Sequence, residues 1–517
     1  MPGGGLLALV SYGAQNVILN GNPEFTYFYK IFKRHSHFSM ENATIPLEGP
    51  NELFFDQPIK LRAKIPRIAD LMTDMVFSFV LPDIYSKYAA ERGEHQYEFQ
   101  WNNWIGCTMI ANCAFFVGGT KVQEFDGDYI IAKAYADLDT DQLQKLKYMV
   151  GEVPELTNPA KGEYAGGSLR KGYPTVFRNT SVVQQLNQPS IPGQAVYVPL
   201  PLWFSEFPSK ALPLVALQNH ECEIQLTLRP IQELYSILDP SGFRVRPGYR
   251  VLSPTYYNEI GQPNYVSYYD PSGDFRAFAT DIGYTAPQLN SWFFNPQLEA
   301  TYIYLTDAER KIFATQPLSY VVNQVTSISQ PNLYTRTIVD LPITNPITRL
   351  VLVPRRSDSF PYRNQTNNYT NWVNSTIRPF LPTPGATIQE NTDMSTGLLI
   401  PASQSQILAS LRVLLDGNEI QEEKPISYFT KVQPYRTLIG ASTQESQYLP
   451  IVNFALTSPT EQPSGSVNAS RIRLFQLDVN PYPLPLDPSY VYDLMIYAEN
   501  INFFEVSSGC GGLKYAL

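Results

Sequence analysis

The residues in this sequence that could most readily bind a metal are its four histidines. His35 and His37 are separated by one residue, so they would lie on the same face if residues 32–38 form a strand. Two imidazoles in this arrangement can hold a metal ion, but no Cys, Asp or Glu nearby completes a ligand set. His95 lies in a polar stretch and His220 begins an alternating segment. We therefore expect no metal site and interpret the histidines as structural.

Three alternate aspartates, Asp137, Asp139 and Asp141, resemble the start of a calcium-binding loop. Position six of such a loop would be Gln142 rather than Gly, and position twelve would be Tyr148 rather than Glu. The turn residue and the bidentate ligand are therefore both missing. Acidic residues are also favoured at helix N-termini because of the helix dipole, and we prefer that interpretation.

No motif in the sequence indicates catalysis. The segment Gly118–Lys121 lacks the Gly-x4-Gly-Lys spacing of a phosphate-binding loop. Neither the Gly-x-Ser-x-Gly motif of serine hydrolases nor a dinucleotide-binding glycine motif at a strand–helix junction is present. Glu422 and Glu423 are adjacent, so in a strand they would point to opposite faces. The sequence predicts no catalytic residue, no cofactor and no enzyme.

The glycines at 118 and 119 instead predict a tight hairpin turn. An apolar pair precedes them and an alternating run ending at Glu124 follows, and glycine adopts the positive φ that such turns require. The pattern returns at Leu414–Glu422 with Asp-Gly in place of Gly-Gly, 298 residues further along. The same hairpin in both parts of one chain suggests two copies of one β domain.

Length and composition also favour two β domains. A single hydrophobic core rarely grows beyond about 250–300 residues, and this chain has 517. The chain contains 43 Pro, 34 Tyr and 28 Phe, and 16% of its residues are charged, which is typical of short strands joined by long loops. Short helices are predicted at Asp139–Gly151 and after the capping box Thr306–Glu309. We predict an all-β fold of two tandem eight-stranded antiparallel jelly rolls with few short helices.

Several strands can be placed from their apolar patterns. Met75–Leu81 is apolar on both faces, which predicts burial on both sides, and a proline ends it. Cys222–Leu228 alternates between apolar and polar residues, as a strand with one buried face does. Leu350–Val353 is apolar and should end at Pro354. The polar segment 357–400 is rich in Asn, Thr, Pro and Ser, and we expect it to run over the surface.

These patterns predict three parts of the chain: an N-terminal arm at residues 1–25, a first roll at 26–235 and a second roll at 236–517 that carries the insert 357–400. The formal net charge of −9 argues against a nucleic-acid coat, because phosphate binding needs a basic surface. The basic cluster around residues 30–37 is short, and we interpret it as a solvated or partner-facing strand end. Four cysteines without metal spacing fit a reducing compartment, and no leader or membrane-spanning run is seen.

A series of motifs extends nearly from end to end of the chain. They are Leu9–Gln15, Gly21–Pro23, Arg34–Phe38, Val117–Gly119, Asp126–Tyr129, Leu212–Gln218, Tyr302–Leu305, Gln433–Tyr435, Asn453–Leu456, Gln462–Ser466 and Ser508–Leu513. Taken together and in this order, they resemble the major capsid proteins of the nucleocytoplasmic large DNA viruses.

This resemblance implies a double jelly roll that self-assembles as a homotrimeric, pseudo-hexagonal capsomer and tiles an icosahedral capsid shell. It also implies a virion protein that is made in the host cytoplasm. Its implied partners are neighbouring capsomers, minor capsid and penton proteins and a nearby internal viral membrane, with no direct contact to nucleic acid. The residues we assign to assembly are Tyr12 and Gln15 in the arm, and Gln433, Pro434 and Tyr435 in a loop.

One alternative from a different class remains, a lectin-like jelly-roll protein that binds glycans, since this fold also occurs in lectins. Exposed aromatic residues in the insert would then bind the sugar. The insert also contains three Asn-x-Ser/Thr sequons, at Asn364, Asn368 and Asn374, which are candidate glycosylation sites.

Overall fold

The computed structural model describes residues 13–14, 17–30, 32–86, 98–159, 163–164, 168–169, 189–238, 244–247, 274–279, 288–360, 364–371, 394–395, 398–399, 406–437, 440, 446–458, 460–484 and 490–515. Residues 1–39 form one compact unit and residues 40–517 form another. Among the described residues, no helix has the length and apolar character needed to cross a membrane.

Strands are the commonest elements of the described structure. In the first part of the chain they are β1 (Phe38–Ile45), β2 (Glu52–Phe54), β3 (Ile59–Lys64), β4 (Leu71–Val80), β5 (Glu98–Trp101), β6 (Ile110–Val117), β7 (Thr120–Phe125), β8 (Glu163–Tyr164), β9 (Ser168–Leu169), β10 (Ala195–Pro199), β11 (Cys222–Leu228), β12 (Tyr235–Leu238), β13 (Arg244–Val245), β14 (Ser291–Phe293) and β15 (Gln297–Leu305). We call this part the first half.

The second half contains the remaining strands. They are β16 (Leu318–Leu333), β17 (Thr337–Asp340), β18 (Pro346–Arg356), β19 (Met394–Ser395), β20 (Leu398–Leu399), β21 (Leu408–Leu415), β22 (Asn418–Pro425), β23 (Ile451–Asn453), β24 (Val467–Asn468), β25 (Phe475–Pro481), β26 (Tyr492–Ser507) and β27 (Cys510–Leu513).

The described helices are short. They are α1 (Val17–Asn20), α2 (Ile105–Met109), α3 (Gly127–Asp137), α4 (Thr140–Met149), α5 (Pro154–Thr157), α6 (Trp203–Glu206), α7 (Phe275–Phe278), α8 (Asp307–Thr315) and α9 (Gln433–Thr437). A π-helical turn at Tyr428–Val432 leads directly into α9, and single helical turns occur at Pro208–Lys210, Ile231–Glu233, Ser446–Tyr448 and Ala469–Arg471.

The two main sheets of each half have the same strand order, although β24 and β27 extend one second-half sheet and smaller sheets occur beside them. The first half has two four-stranded sheets, ordered β1-β15-β4-β10 and β3-β11-β6-β7. The second half has the orders β16-β26-β18-β23 and β17-β25-β21-β22. When these strands are ranked along the chain within each half, both halves give the orders 1-8-3-6 and 2-7-4-5. Each half is therefore a sandwich of two sheets with the same connections.

Strand β15 completes the first half although it lies well beyond residue 235. It pairs with β4, with Leu298 opposite Phe77 and Ala300 opposite Met75. The inward side chains of both strands are buried in the first core. The sandwich that begins at β1 is thus closed by residues 297–305, and the second set of sheets begins only at β16.

Both predicted hairpins form. Gly118 and Gly119 have φ values of 57° and 80° between β6 and β7, and Asp416 and Gly417 have values of 49° and 79° between β21 and β22. The hairpins occupy ranks 4 and 5 of their halves, as a duplicated domain requires. A third tight turn, Ser508-Gly509, joins β26 to β27 and was not predicted.

The predicted burial of one strand face is confirmed, whereas the predicted burial of both faces is not. Met75, Phe77 and Phe79 of β4 are at most 1% exposed, and the alternation in β11 is confirmed by its burial pattern. The other face of β4 is not uniformly buried, since Val80 is 41% exposed. The predicted two-sided burial of this strand is therefore wrong.

Two predicted strand boundaries are also wrong. Pro354 lies inside β18, opposite Leu494 of β26, and does not end the strand. The neighbour on the other side, β23, pairs only as far as Val351, so the missing N–H of Pro354 faces beyond the end of β23 and no ladder bond is lost. Residues 32–37 are not a strand, because β1 begins at Phe38.

The two predicted helices are confirmed with one difference. Helix α4 is capped by Asp139, whose side chain accepts a 2.7 Å hydrogen bond from the N–H of Gln142, and Gly151 follows its end with φ of 82°. Helix α8 begins after Thr306, but the Thr306 side chain makes no capping hydrogen bond. The predicted capping box therefore does not form.

Candidate functional site: the joint between the two halves

Helix α3 is the element of the first half that positions the site. It follows β7 directly, and its N-cap Asp126 accepts a 2.8 Å hydrogen bond from the N–H of Tyr129. Most of its residues are buried, on every side of the helix. A helix that is buried all round has no amphipathic pattern, and for this reason the sequence did not predict it.

Arg349 lies at the centre of the site. This residue of β18 is fully buried, and its guanidinium bonds two carboxylates at once. It donates to Asp137, the last residue of α3, at 2.5 and 2.9 Å, and to Glu499 of β26 at 2.7 and 2.8 Å. Arg349 and Glu499 are direct partners in the strand register. The arginine therefore joins the second-half sheet to the first-half helix through charge-assisted bonds on both sides.

Further charged and hydroxyl groups surround this pair, and we call the whole set the charged joint. Its other contacts are Lys133 to Asp137 and to Glu206, both at 3.0 Å, and, each at 2.8 Å, Arg355 to Asp128, the Tyr129 hydroxyl to Glu499 and the Tyr497 hydroxyl to Asp126. Each of these residues is mostly or fully buried, and most of the bonds cross from one half to the other.

Asp126, Asp137 and Glu499 of the joint have shifted pKa values. Burial raises the pKa of Asp137, but the charges of Arg349 and Lys133 outweigh burial and hold that pKa at about 2. Burial also raises the pKa of Glu499, but the charge of Arg349 lowers it more, so the pKa of Glu499 is lowered overall. Asp126 behaves in the opposite way, because burial and the neighbouring Asp128 raise its pKa to about 6.

The contacts of the joint hold the two halves of the chain together. Its central arginine is bonded on both sides, and among the residues that the structure describes, no group of three or more His, Cys, Asp or Glu side chains could hold a metal ion. A buried charge network fixes orientation because any other arrangement leaves charges unpaired in the interior. The geometry therefore supports a mechanical role.

A second contact between the halves covers the edge strand β7. The Gln324 amide of β16 donates to the Val122 carbonyl, and Asn502 of β26 donates to the Gln324 side-chain oxygen at 2.8 Å. Nearby, Trp203 of α6 packs against Tyr320 and Phe504, with ring centroids 5.6 and 5.5 Å apart. An edge strand that would otherwise be open is thus closed by the other half of the same chain.

The residues that the sequence assigned to assembly lie in different surroundings. Tyr12 and Gln15 fall outside the described residues. Gln433, Pro434 and Tyr435 form part of α9 rather than the predicted loop. Gln433 is buried, and its side-chain oxygen accepts a hydrogen bond from the N–H of Asn453 at 3.2 Å, whereas Tyr435 is 89% exposed.

The sequence predicted that the insert runs over the surface, but its described part is partly buried. In its described part, Asn364 is 2% exposed and donates to the Gln232 and Tyr235 carbonyls of the first half at 2.6 and 2.7 Å. Asn367 likewise donates to the Asn103 carbonyl at 2.5 Å. These amides bond backbone carbonyls of a different half, so the beginning of the insert is a packed connection.

This burial changes the expectation for the sequons. A sugar on Asn364 would have to replace both of its amide hydrogen bonds in a buried position. Asn368 is partly buried, and its side-chain oxygen accepts bonds from the N–H and the hydroxyl of Thr370, the third residue of its own sequon. Asn374 lies outside the described residues.

The histidines and alternate aspartates have structural surroundings where they are described. His35 and His37 are exposed, and His95 lies outside the described residues. The Nδ1 atom of His220 lies 2.9 Å from the Gly511 carbonyl oxygen. Asp139 and Asp141 begin α4 as predicted from the helix dipole, whereas Asp137 belongs to the charged joint.

Comparison with known families matches both halves of this structure. Residues 26–254 match the model described as the major capsid protein N-terminus, and residues 309–512 match the model for the large eukaryotic DNA virus major capsid protein. The chain belongs to this major capsid protein family. Its relatives include the major capsid proteins of Phaeocystis pouchetii virus, 25% identical, and Paramecium bursaria Chlorella virus 1, 26% identical, each alignment covering 99% of both chains.

A solved structure supports the same fold. The crystal structure of PBCV-1 VP54, fitted into a cryo-EM reconstruction of the virophage Sputnik, superposes with a TM-score of 0.63 at 20% identity, covering 95% of this chain and 100% of that one. The predicted double jelly roll is therefore confirmed, while the count of eight strands in each roll stays a prediction. The chain is a viral major capsid protein of the virion, and the glycan-binding alternative finds no support.

Proposed function

We propose that three copies of this chain form a pseudo-hexagonal capsomer and that these capsomers tile an icosahedral shell. The observation that carries the proposal is the identical sheet order of the two halves, 1-8-3-6 and 2-7-4-5. Two similar bodies in each chain, arranged about a three-fold axis, give six near-equivalent sides, and such a block packs with its neighbours in a closed surface.

The proposed division of the chain follows from this duplication. The arm comprises residues 1–25, and the first roll begins at 26. The sequence placed the end of the first roll at residue 235, and we now propose that it ends after β15, because β15 pairs with β4. The second roll then extends from β16 to the C-terminal end, and 357–400 is an insert of which the first residues pack against the first roll.

We propose the further partners on the strength of the family resemblance. They are neighbouring capsomers, minor capsid and penton proteins, and an internal viral membrane close to the arm. The net charge of −9 favours a role without direct nucleic-acid contact. The protein would be made in the host cytoplasm and would act without catalysis, and glycosylation is proposed at Asn368 and Asn374 only.

The mass of the purified protein tests the capsomer. Light scattering after size exclusion should give three times the chain mass of 58.4 kDa. Negative-stain images of the same fraction should show blocks with six-sided outlines. A protein that stays monomeric at every concentration up to about 100 µM, a range in which even weak specific interfaces associate, would contradict the proposal.

A further inference from the structure

The contact between the two halves joins the rank-5 edge strand and the following helix of the first half to one sheet of the second half. In the first half, the rank-5 edge strand β7 is covered by β16, and helix α3, which follows β7, lies on the outer face of the sheet β16-β26-β18-β23. The residues that face α3 are on alternate positions of β18 and β26, such as Arg349 and Tyr497. One half thus offers an edge strand and a helix, and the other half offers a sheet face.

The second half has an edge strand and a helical segment at the same ranks, and among the described residues both carry exposed apolar side chains, although Phe429 and Gln433 of the segment are buried in their own half. Its rank-5 edge strand is β22, in which no residue is buried, and Ile420 is 55% exposed. The helical segment Tyr428–Thr437 follows β22 as α3 follows β7. On this segment Val432 is 37% exposed and Tyr435 is 89% exposed.

The first half has the matching sheet face, and part of it is exposed, although Ser78 near its centre is buried and Ile303 at one end packs in a cluster with Phe313 of α8. In the sheet β1-β15-β4-β10, the inner face is formed by residues such as Phe77 and Phe79, so Val80 and its neighbours at every second position form the outer face. Val80 is 41% exposed, and Tyr197 of β10, two residues from the partner of Val80, is 40% exposed. The corresponding face of the second half is buried against α3.

We propose that β22 and the segment Tyr428–Thr437 of one copy pack on the outer face of the β1-β15-β4-β10 sheet of a second copy. The proposal rests on the proposed capsomer and names the surface that holds it together. It repeats between two chains the contact that the two halves already make within one. The surface is heterologous, with different patches on the two copies, and such contacts close into a ring when the rotation permits.

The charges of the two surfaces are complementary, with signs opposite to those of the charged joint. In the joint, helix α3 carries two acids, Asp128 and Asp137, and one base, Lys133. The sheet carries two bases, Arg349 and Arg355, and one acid, Glu499. On the proposed surface, the helical segment carries the exposed bases Lys431 and Arg436, and the sheet face carries Glu299 opposite Val76. Because of this difference in sign, α3 would be attracted to the second-half sheet, and the segment Tyr428–Thr437 would be attracted to the first-half sheet of another copy.

Two tyrosine variants test the proposal. Tyr435→Asp and Tyr197→Asp each place a charge in the centre of the proposed contact, and each should raise the trimer dissociation constant at least about 100-fold, since buried aromatic anchors dominate interfaces. Tyr148→Asp is the matched control, because Tyr148 is 77% exposed and lies on α4, outside this surface. The control should stay within about threefold of the unaltered protein. Sedimentation equilibrium measures all three constants.

A cross-linking experiment needs no substitution in the interface. Trimers assembled from ¹⁴N- and ¹⁵N-labelled copies are treated with a zero-length carbodiimide reagent, and Lys431 should be joined to Glu299 in mixed-isotope peptides. If the protein is trimeric but both tyrosine variants keep its dissociation constant and this cross-link is absent, the inference is overturned and the capsomer stands. A protein that does not form trimers would overturn the capsomer and, with it, the inference.

Discussion

Arg349 lies within an apolar stretch of β18, next to the run Leu350–Val353, and Glu499 directly follows the apolar run Leu494–Ala498 of β26. A charged residue within an apolar run is a signal that sequence can supply, because full burial of such a residue requires a partner. The sequence does not say which partner, since Asp137 is 212 residues away and lies on a helix that no periodicity predicted. The sequence therefore indicates that Arg349 and Glu499 need charged partners, but it does not identify those partners.

Arg349→Met should destabilise the protein by about 3–5 kcal/mol, because it removes the guanidinium that bonds the buried Glu499 and leaves Asp137 with Lys133 alone. Chemical denaturation at pH 7 measures this free energy of unfolding. Lys514→Met is the control, since the Lys514–Glu505 pair is about half exposed on both sides and water screens its attraction, so its loss should change the stability little. Equal effects of the two substitutions would contradict the role assigned to Arg349.

Asp126 should give the stability a pH dependence of unusual sign. Its pKa in the folded protein is about 6 and its usual value is 3.8, so the folded state binds more protons between these values. The stabilisation from this group is therefore complete below about pH 4 and is lost as the pH rises through 6, by on the order of 2–3 kcal/mol. Asp137, with a folded pKa of about 2, acts oppositely and loses its contribution only as the pH falls below about 4.

The substitution Asp126→Asn isolates this effect, because asparagine keeps the capping bond to the Tyr129 N–H and does not titrate. The unfolding free energy of the variant should vary less between pH 4 and 6.5 than that of the unaltered protein. A variant with an unchanged slope in this range would show that Asp126 is not the group responsible.

At the scale of elements, turns were easier to predict than the ends of strands or buried helices. The Gly-Gly and Asp-Gly turns are local, because positive φ at two successive residues is decided by those residues themselves. The passage of β18 through Pro354 depends on where the neighbouring strand β23 stops, which is not encoded near the proline. Helix α3 was missed because tertiary packing surrounds it.

The two glycines of the first hairpin should differ in their response to alanine. At Gly119 an added Cβ meets nothing within 4 Å, so Gly119→Ala costs only the strain of positive φ, about 1 kcal/mol. At Gly118 the Cβ would lie 2.6 Å from the His220 ring, so Gly118→Ala should cost clearly more, about 2–3 kcal/mol. Thermal unfolding of both variants measures the difference, and a larger loss at Gly119 would refute the assignment.

At the scale of the whole molecule, the duplication was visible in the sequence, but its dividing point was not. The repeated hairpin gave the duplication, because both copies kept the same turn chemistry. The position of β15 could not be derived, because the strand that closes the first sandwich lies after a long segment, and its pairing with β4 bridges more than 200 residues. Non-local pairing of this kind leaves no periodic signal near either strand.

The two halves should unfold together. One hydrophobic cluster contains first-half residues such as Trp203 and second-half residues such as Val351, Tyr497 and Phe504. Scanning calorimetry of the isolated chain should therefore show one transition in which the calorimetric and van't Hoff enthalpies agree. Arg349→Met should broaden this transition or separate it into two. Two well-separated transitions in the unaltered chain would contradict the coupling of the halves.

The covalent link between the two halves, whose contact the charged joint fixes, also affects how much of the ring forms at a given protein concentration. Because the peptide chain supplies one of every two roll-to-roll contacts around the proposed ring, each newly folded polypeptide arrives with that contact already made at a high effective concentration. Building the ring then needs an encounter of three molecules in place of six. Diluting the protein twofold would lower the equilibrium concentration of rings about eightfold at low occupancy, where six separate rolls would lose about 64-fold by mass action. Fusing two rolls into one gene thus makes assembly tolerant of low protein supply.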